Sequence, residues 1–180
     1  MTAIAMLLAA NEVVRAEPDD SATASEYQLK AAFVYNFAKF VEWPEGAGAV
    51  DTVNLCVSGP EVAYATEVRV VSGKKLKGHP VTVRWLHSPA DVAQQCQILF
   101  VASPGGELVR QTLAAVRDGP VLTVGECPGF LKAGGMINFL LRDSRVRFEI
   151  NLAAARKAHL TISSELLRLA TYVAETEEAK

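Results

Sequence analysis

The side chains that could carry chemistry are few and scattered. Three cysteines, Cys56, Cys96 and Cys127, and three histidines, His79, His87 and His159, supply the softest and most readily titrated groups in the 180 residues. A zinc site gathers Cys or His in close pairs, and none of these spacings does so. Hydrolysis through an activated serine needs a sharp nucleophile elbow such as G-x-S-x-G, with a base and an orienting acid. No elbow occurs, and Ser163-Ser164 stand directly before Glu165 and an apolar run, where serine caps a helix. His79 beside Pro80, His87 after a strand and His159 between helices fit surface or capping roles. The loops Ser58-Gly59-Pro60 and Ser103-Pro104-Gly105-Gly106 match neither the three-glycine dinucleotide fingerprint nor a P-loop lysine. They would still lie at strand carboxyl ends, where an α/β sheet binds ligands and a helix start holds an anion. Acidic residues are spread over helix faces, and no carboxylate pair stands out. The expectation is a protein that is no enzyme and takes no cofactor or metal.

The elements that would position these groups read clearly. Ser25-Glu26-Tyr27-Gln28 resembles a capping box. Leu29, Ala32, Phe33, Phe37, Phe40 and Val41 then recur at helical spacing, and Trp43-Pro44 closes the helix. Strands are expected at 53–57, 81–85, 97–101 and 121–124, and helices at 61–71, 89–95 and 107–117. Strands alternating with helices imply parallel pairing and right-handed crossovers. The rhythm then changes. Residues 136–141 and 146–150 flank the polar stretch Arg142 to Arg145, which signals an antiparallel hairpin with a four-residue turn. Two helices follow, one after Asn151 and one over 165–173. The fold class is therefore α/β: a single-domain sandwich with a mixed, mostly parallel central sheet flanked by helices and a C-terminal antiparallel hairpin.

Composition sets the outer limits. Half the residues are hydrophobic, 21% are charged and the formal net charge is −2, which suits a globular core and excludes disorder. Nucleic acid is not an expected partner, because that needs a clustered basic surface. Arg142, Arg145 and Arg147 form one small basic group, read either as solvated residues beside a turn or as a recognition patch. No apolar run reaches the roughly 18 residues that span a bilayer. Residues 1–24 resemble a signal peptide, with a short apolar core and small residues at Ala16 and Ala24, but lack the leading positive charge. The expected domain is 25–175, with a polar tail over 176–180.

If the first strand neighbours the third, as in doubly wound sheets, Cys56 and Cys96 fall on neighbouring strands. Cys96 precedes its strand while Cys56 is central in its own. The register therefore leaves open either a disulfide, in an exported protein, or three buried thiols.

Taken in order, these segments resemble the YfiR family. The resemblance is carried by Tyr27-Gln28-Leu29-Lys30-Ala31-Ala32-Phe33 through Phe40-Val41-Glu42-Trp43-Pro44, and by Leu55-Cys56-Val57-Ser58-Gly59, Cys96-Gln97-Ile98-Leu99-Phe100 and Val121-Leu122-Thr123-Val124. Gly134-Gly135-Met136-Ile137-Asn138-Phe139, Val146-Arg147-Phe148-Glu149-Ile150-Asn151, Ile162-Ser163-Ser164 and Leu166-Leu167-Arg168-Leu169-Ala170 complete the set. The resemblance implies a periplasmic, non-enzymatic protein that represses an inner-membrane diguanylate cyclase through its periplasmic region, lowering cyclic di-GMP and so biofilm. It also implies relief by an OmpA-like outer-membrane lipoprotein, disulfides that support folding or activity, and frequent homodimers. Two departures stand out. The cysteine pair flanking the loop after the fourth strand is missing, so any redox role rests on Cys56 and Cys96. His159 replaces a frequent glycine, and a strained positive φ is expected there. Partner-surface candidates are Trp43, Phe139, Leu141 and Arg147. The competing function is a periplasmic small-ligand module using the loops at Ser58-Gly59 and Ser103 to Gly106.

Overall fold

Helix α1 (Asp20–Lys39) lies across one face of the central sheet. The computed structural model of the protein describes residues 20–47, 51–59, 67–86, 88, 95–103 and 105–176. The signal-peptide-like start up to residue 19, most of the expected helices at 61–71 and 89–95, His87 and Pro104 lie outside the described residues. The expected capping box at Ser25 is corrected, because the helical backbone already runs from Asp20. The residues ahead of Ser25 include Ala22 and Ala24, strong helix formers, and the helix continues through them. The buried stripe is also rotated from the expected one. It comprises Tyr27, Lys30, Ala31, Val34, Phe37, Ala38 and Val41, while Leu29 is 48% exposed. Phe37 sets this rotation, with its ring centroid 4.7 Å from that of Phe148 and 5.6 Å from that of Phe139 on the sheet. The helix ends at Lys39, ahead of Trp43-Pro44, and the chain passes at once into the short strand β1 (Val41–Glu42).

The core strands are β2 (Val53–Ser58), β3 (Lys75–Leu76), β4 (His79–Leu86), β5 (Ile98–Val101), β6 (Leu122–Gly125), β7 (Ile137–Arg142), β8 (Arg145–Asn151) and β10 (Val173–Ala174). Their spatial order is β10-β8-β7-β6-β5-β2-β4-β3. The run β4-β2-β5-β6-β7 is parallel throughout, and β2 sits between β4 and β5, as in a doubly wound sheet. β8 and β3 join it antiparallel. A separate two-stranded ribbon pairs β1 with β9 (Thr161–Ile162). The inner strands β2, β5 and β6 are buried on both faces and largely apolar, as burial from two sides demands, whereas β4 exposes Arg84 and is only half-buried. Leu55, Val57, Ile98, Phe100, Leu122 and Val124 pack on the α1 side. Cys56, Leu99 and Val101 pack on the opposite side, against Val109, Leu113 and Val116 of α2 (Glu107–Val116) and against Phe130. The result is the expected α/β sandwich with helices on both faces of a mostly parallel sheet.

Two expectations near the C-terminus need correction. The hairpin turn holds two residues, Asp143 and Ser144, because Arg142 pairs directly with Arg145. Both turn residues have positive φ, 50° and 56°. That matches the hand of turn whose twist suits a hairpin, and Asp and Ser tolerate it through short polar side chains. The second expected helix shrinks to one turn, α4 (Ser164–Leu167), after which the chain returns to the sheet as β10. Thr171 N–H and its hydroxyl both donate to Phe148 O at 2.9 Å, drawing the segment onto the sheet edge.

The other C-terminal helix, α3 (Leu152–Lys157), is capped at Asn151, whose Oδ1 accepts from Ala154 N–H at 2.9 Å. It closes in a Schellman motif: Leu160 N–H donates to Ala155 O and His159 N–H to Arg156 O. The motif needs a left-handed residue, and His159 supplies it at φ 58°. Its side chain is exposed, so nothing local offsets the cost of a Cβ there. His159→Gly is expected to stabilise the protein by about 1 kcal/mol, read from denaturant midpoints. A lower midpoint would show that the imidazole makes a contact worth more than the strain.

Candidate functional site

Cys56 and Cys96 are joined by a disulfide with a Cα–Cα distance of 5.8 Å, inside the usual bridging range. The strand register did not promise this. The β2–β5 ladder begins only at Leu55↔Ile98, so Cys96 lies ahead of it and is free to leave the strand plane. It packs with Cys56 in the apolar cluster under α2. The approach is pinned by Gln97 N–H to Asn54 O at 3.1 Å, Asn54 N–H to Gln97 Oε1 at 2.8 Å, and Asn54 Nδ2 to Gln95 O at 2.7 Å. Cys127 is buried in the same cluster as a free thiol, and burial pushes its pKa up, so it stays protonated.

The other candidate residues are not brought together. Ser163 caps α4, its hydroxyl accepting from Glu165 N–H at 3.1 Å. His79 opens β4, while exposed His159 lies beyond α3. At the carboxyl ends of β2 and β5 the two backbones run side by side, with Ala102 N–H donating to Ser58 O at 2.9 Å, so a Cβ on Gly59 would stand 2.2 Å from Ala102 O. A cleft of about 330 Å³ instead opens at the opposite, amino ends of the strands, beside Val53, His79 and Gln97. Trp43 forms part of its wall, and Lys77 Nζ lies 5.7 Å from the Trp43 ring centre while donating to Val41 O at 2.6 Å. The indole N–H of Trp43 is buried and has no partner among the described residues.

Of the four partner-surface candidates, Phe139 belongs to the core. It is 3% exposed and its ring faces Phe33, Phe37 and Phe100, because strand alternation turns it toward α1. Leu141 is 64% exposed, Arg147 is exposed and Trp43 is half-buried.

One cluster has no counterpart among the sequence expectations. Lys30 Nζ lies 2.5 Å from both Glu26 Oε1 and Glu126 Oε2, and Tyr27 Oη donates to Glu126 Oε1 at 2.7 Å. Burial opposes the Lys30 charge, but the hydrogen bonds and charges of Glu126 and Glu26 outweigh it and hold its pKa above the ordinary lysine value. The group ties α1 to the carboxyl end of β6. A lysine three residues after Tyr27 and four after Glu26, inside an apolar stripe, was the available signal. Its partner across 96 residues was not.

Among the described residues, no group of three or more His, Cys, Asp or Glu side chains could hold a metal ion, and no helix is long and apolar enough to cross a membrane. No individually curated protein matches the chain. The crystal structure of a conserved domain protein from Vibrio cholerae O1 biovar eltor matches with a TM-score of 0.54 at 12% identity, over 82% of this chain and 60% of that one. The chain thus spans less than two thirds of that structure's length, and the likeness supports the fold alone. The family whose model matches is described as YfiR/HmsC-like, and with residues 27–171 inside the match the chain belongs to that family.

Proposed function

We propose that the protein is a periplasmic regulator that binds the sensor region of an inner-membrane diguanylate cyclase, holds the enzyme inactive and so lowers cyclic di-GMP. The observation that carries this reading is the family match over residues 27–171. The buried Cys56–Cys96 disulfide supports the compartment, since such bonds persist outside the reducing cytoplasm. Regulation of this kind is differential binding: the protein shifts the cyclase only by its difference in affinity for the two states. Sequestration by an OmpA-like lipoprotein, and a homodimeric form, belong to the same proposal.

Against the small-ligand alternative stands the position of the cleft of about 330 Å³, which opens at the amino ends of the strands and not beside the Ser58-Gly59 and Ser103 loops. Deleting the gene is expected to raise cellular cyclic di-GMP, and an exported copy should restore the lower level. An unchanged level in the deletion strain would overturn the repressor reading.

A further inference from the structure

The outer end of the β7–β8 hairpin carries three arginines whose arrangement costs the fold something. Arg142 stands directly opposite Arg145, and Arg147 stands opposite Leu140, so strand alternation sets all three guanidinium groups on one face. Like charges directly opposite one another are unfavourable. Each arginine is exposed, and none has an acidic side chain at ion-pair distance among the described residues. The nearby Glu149 carboxylate instead accepts from Asn138 Nδ2 at 3.1 Å. A chain with net charge −2 therefore keeps three cations together without an acidic partner among the described residues.

The strand that bears two of them is also incomplete. β10 pairs with β8 only at Val173↔Ile150 and Ala174↔Asn151, and Thr171 then bonds to Phe148 O. From Arg145 to Arg147 the outer edge of β8 carries no neighbouring strand among the described residues. Leu141, 64% exposed, stands opposite Val146 and so projects from the face opposite the arginines, while Leu169, 67% exposed, lies on the segment that leads to Thr171.

We propose that this edge docks an acidic, extended segment of a protein partner, with backbone pairing along β8 and carboxylates on Arg142, Arg145 and Arg147. Strand addition supplies affinity through main-chain bonds and specificity through alternate side chains. Arginine suits the task, because its planar fork meets a carboxylate with two parallel hydrogen bonds. A second copy of this chain does not fit, since antiparallel edge-to-edge pairing would bring arginines against arginines. The inference rests on the reading of the protein as a cyclase regulator, for which it names the surface and the partner's chemistry.

The test uses the full mature chain and the periplasmic region of the organism's own GGDEF-type cyclase as probe. Arg145→Glu with Arg147→Glu is expected to weaken binding at least about tenfold, and the wild-type affinity should fall as salt is raised. The same variant should melt no lower than wild type, because a carboxylate at position 145 would face Arg142 as an opposite charge; this separates docking from folding. Wild type that binds the probe while the variant binds equally well would overturn the docking surface and leave the regulator reading standing. Wild type that does not bind the probe would remove both. Binding to phosphatidylglycerol vesicles that the same substitutions abolish, with cyclase binding unchanged, would reassign the arginines to a lipid surface and overturn the proposal.

Discussion

Gly135→Ala is expected to destabilise the protein by about 3–5 kcal/mol, as much as deleting the Phe130 ring itself. A Cβ at position 135 would meet ring atoms of Phe130 at 2.1, 2.2 and 2.7 Å. The ring has nowhere to retreat, because a Cβ on Gly125 would meet the same ring at 2.4 Å. Phe130 is fully buried between the two glycines, under α2. The added methyl must therefore expel the ring or spread the backbone, and close-packed interiors allow neither cheaply. For a chain of this size the melting temperature should fall by about 10 °C. The mechanism has a second signature. With Phe130 already replaced by Ala the space is open and Gly135 is not among the residues at positive φ, so Gly135→Ala should then cost nothing or stabilise by roughly a few tenths of a kcal/mol. Strictly additive losses in the double variant would show that the ring is not what excludes a side chain at Gly135. Neighbouring Gly134 resists substitution for a different reason, its φ of 97°, and should not show this coupling.

Such a stack marks where the sequence stops being readable. Strands β2, β5 and β6 are legible because burial on both faces demands unbroken apolar runs, and Val53 to Val57, Ile98 to Val101 and Leu122 to Val124 come close to that pattern. Neighbouring placement of β2 and β5 is what a doubly wound strand order gives, so it could be entertained without contact information but not fixed. The two-residue ribbon β1–β9 and the strand β10 carry no such run, since two residues cannot show a period; only the distant partners Ile162 and Ile150 make them strands. The facing of α1 differs by about one position from the expected one because Phe33, Phe37 and Phe40 offer two overlapping stripes, and the aromatic pocket formed by Phe139 and Phe148 chooses between them. Phe139 lies in the core and not on the surface for a related reason. Alternation gives two faces but not which one a helix covers. The pairing Lys30–Glu126 is invisible in the sequence for want of any local relation between its members, and the Gly125–Phe130–Gly135 stack shows there only as scattered glycines. Basic residues at the hairpin end are legible as a group. Their like-charge opposition is not, because it depends on a turn of two residues in place of four.

Replacing both Cys56 and Cys96 by Ala is expected to cost about 4 kcal/mol, the loop-closure entropy of a bond that joins residues 40 apart. That is a large share of the roughly 5–15 kcal/mol that typically separates folded from unfolded chains. Both sulfurs lie in the apolar cluster under α2, with Cys56 fully buried and Cys96 5% exposed, so the alanines leave small gaps and no stranded polar group. Wild type unfolded and refolded in reductant should lose the same amount, whereas native wild type should resist reductant until the cluster opens. Cys127 is the internal control. It shares the cluster, but its buried thiol is held protonated, and only a thiolate attacks a disulfide. Cys127→Ala should therefore leave the bond intact at neutral pH and cost only the packing of one sulfur, about 1 kcal/mol. Identical denaturation midpoints for the oxidised wild type and the double alanine variant would mean that the bond does not constrain the chain. With the expected loss, the same chain would be markedly less stable wherever thiols are kept reduced. That expected difference is what the proposed periplasmic role would require of the fold.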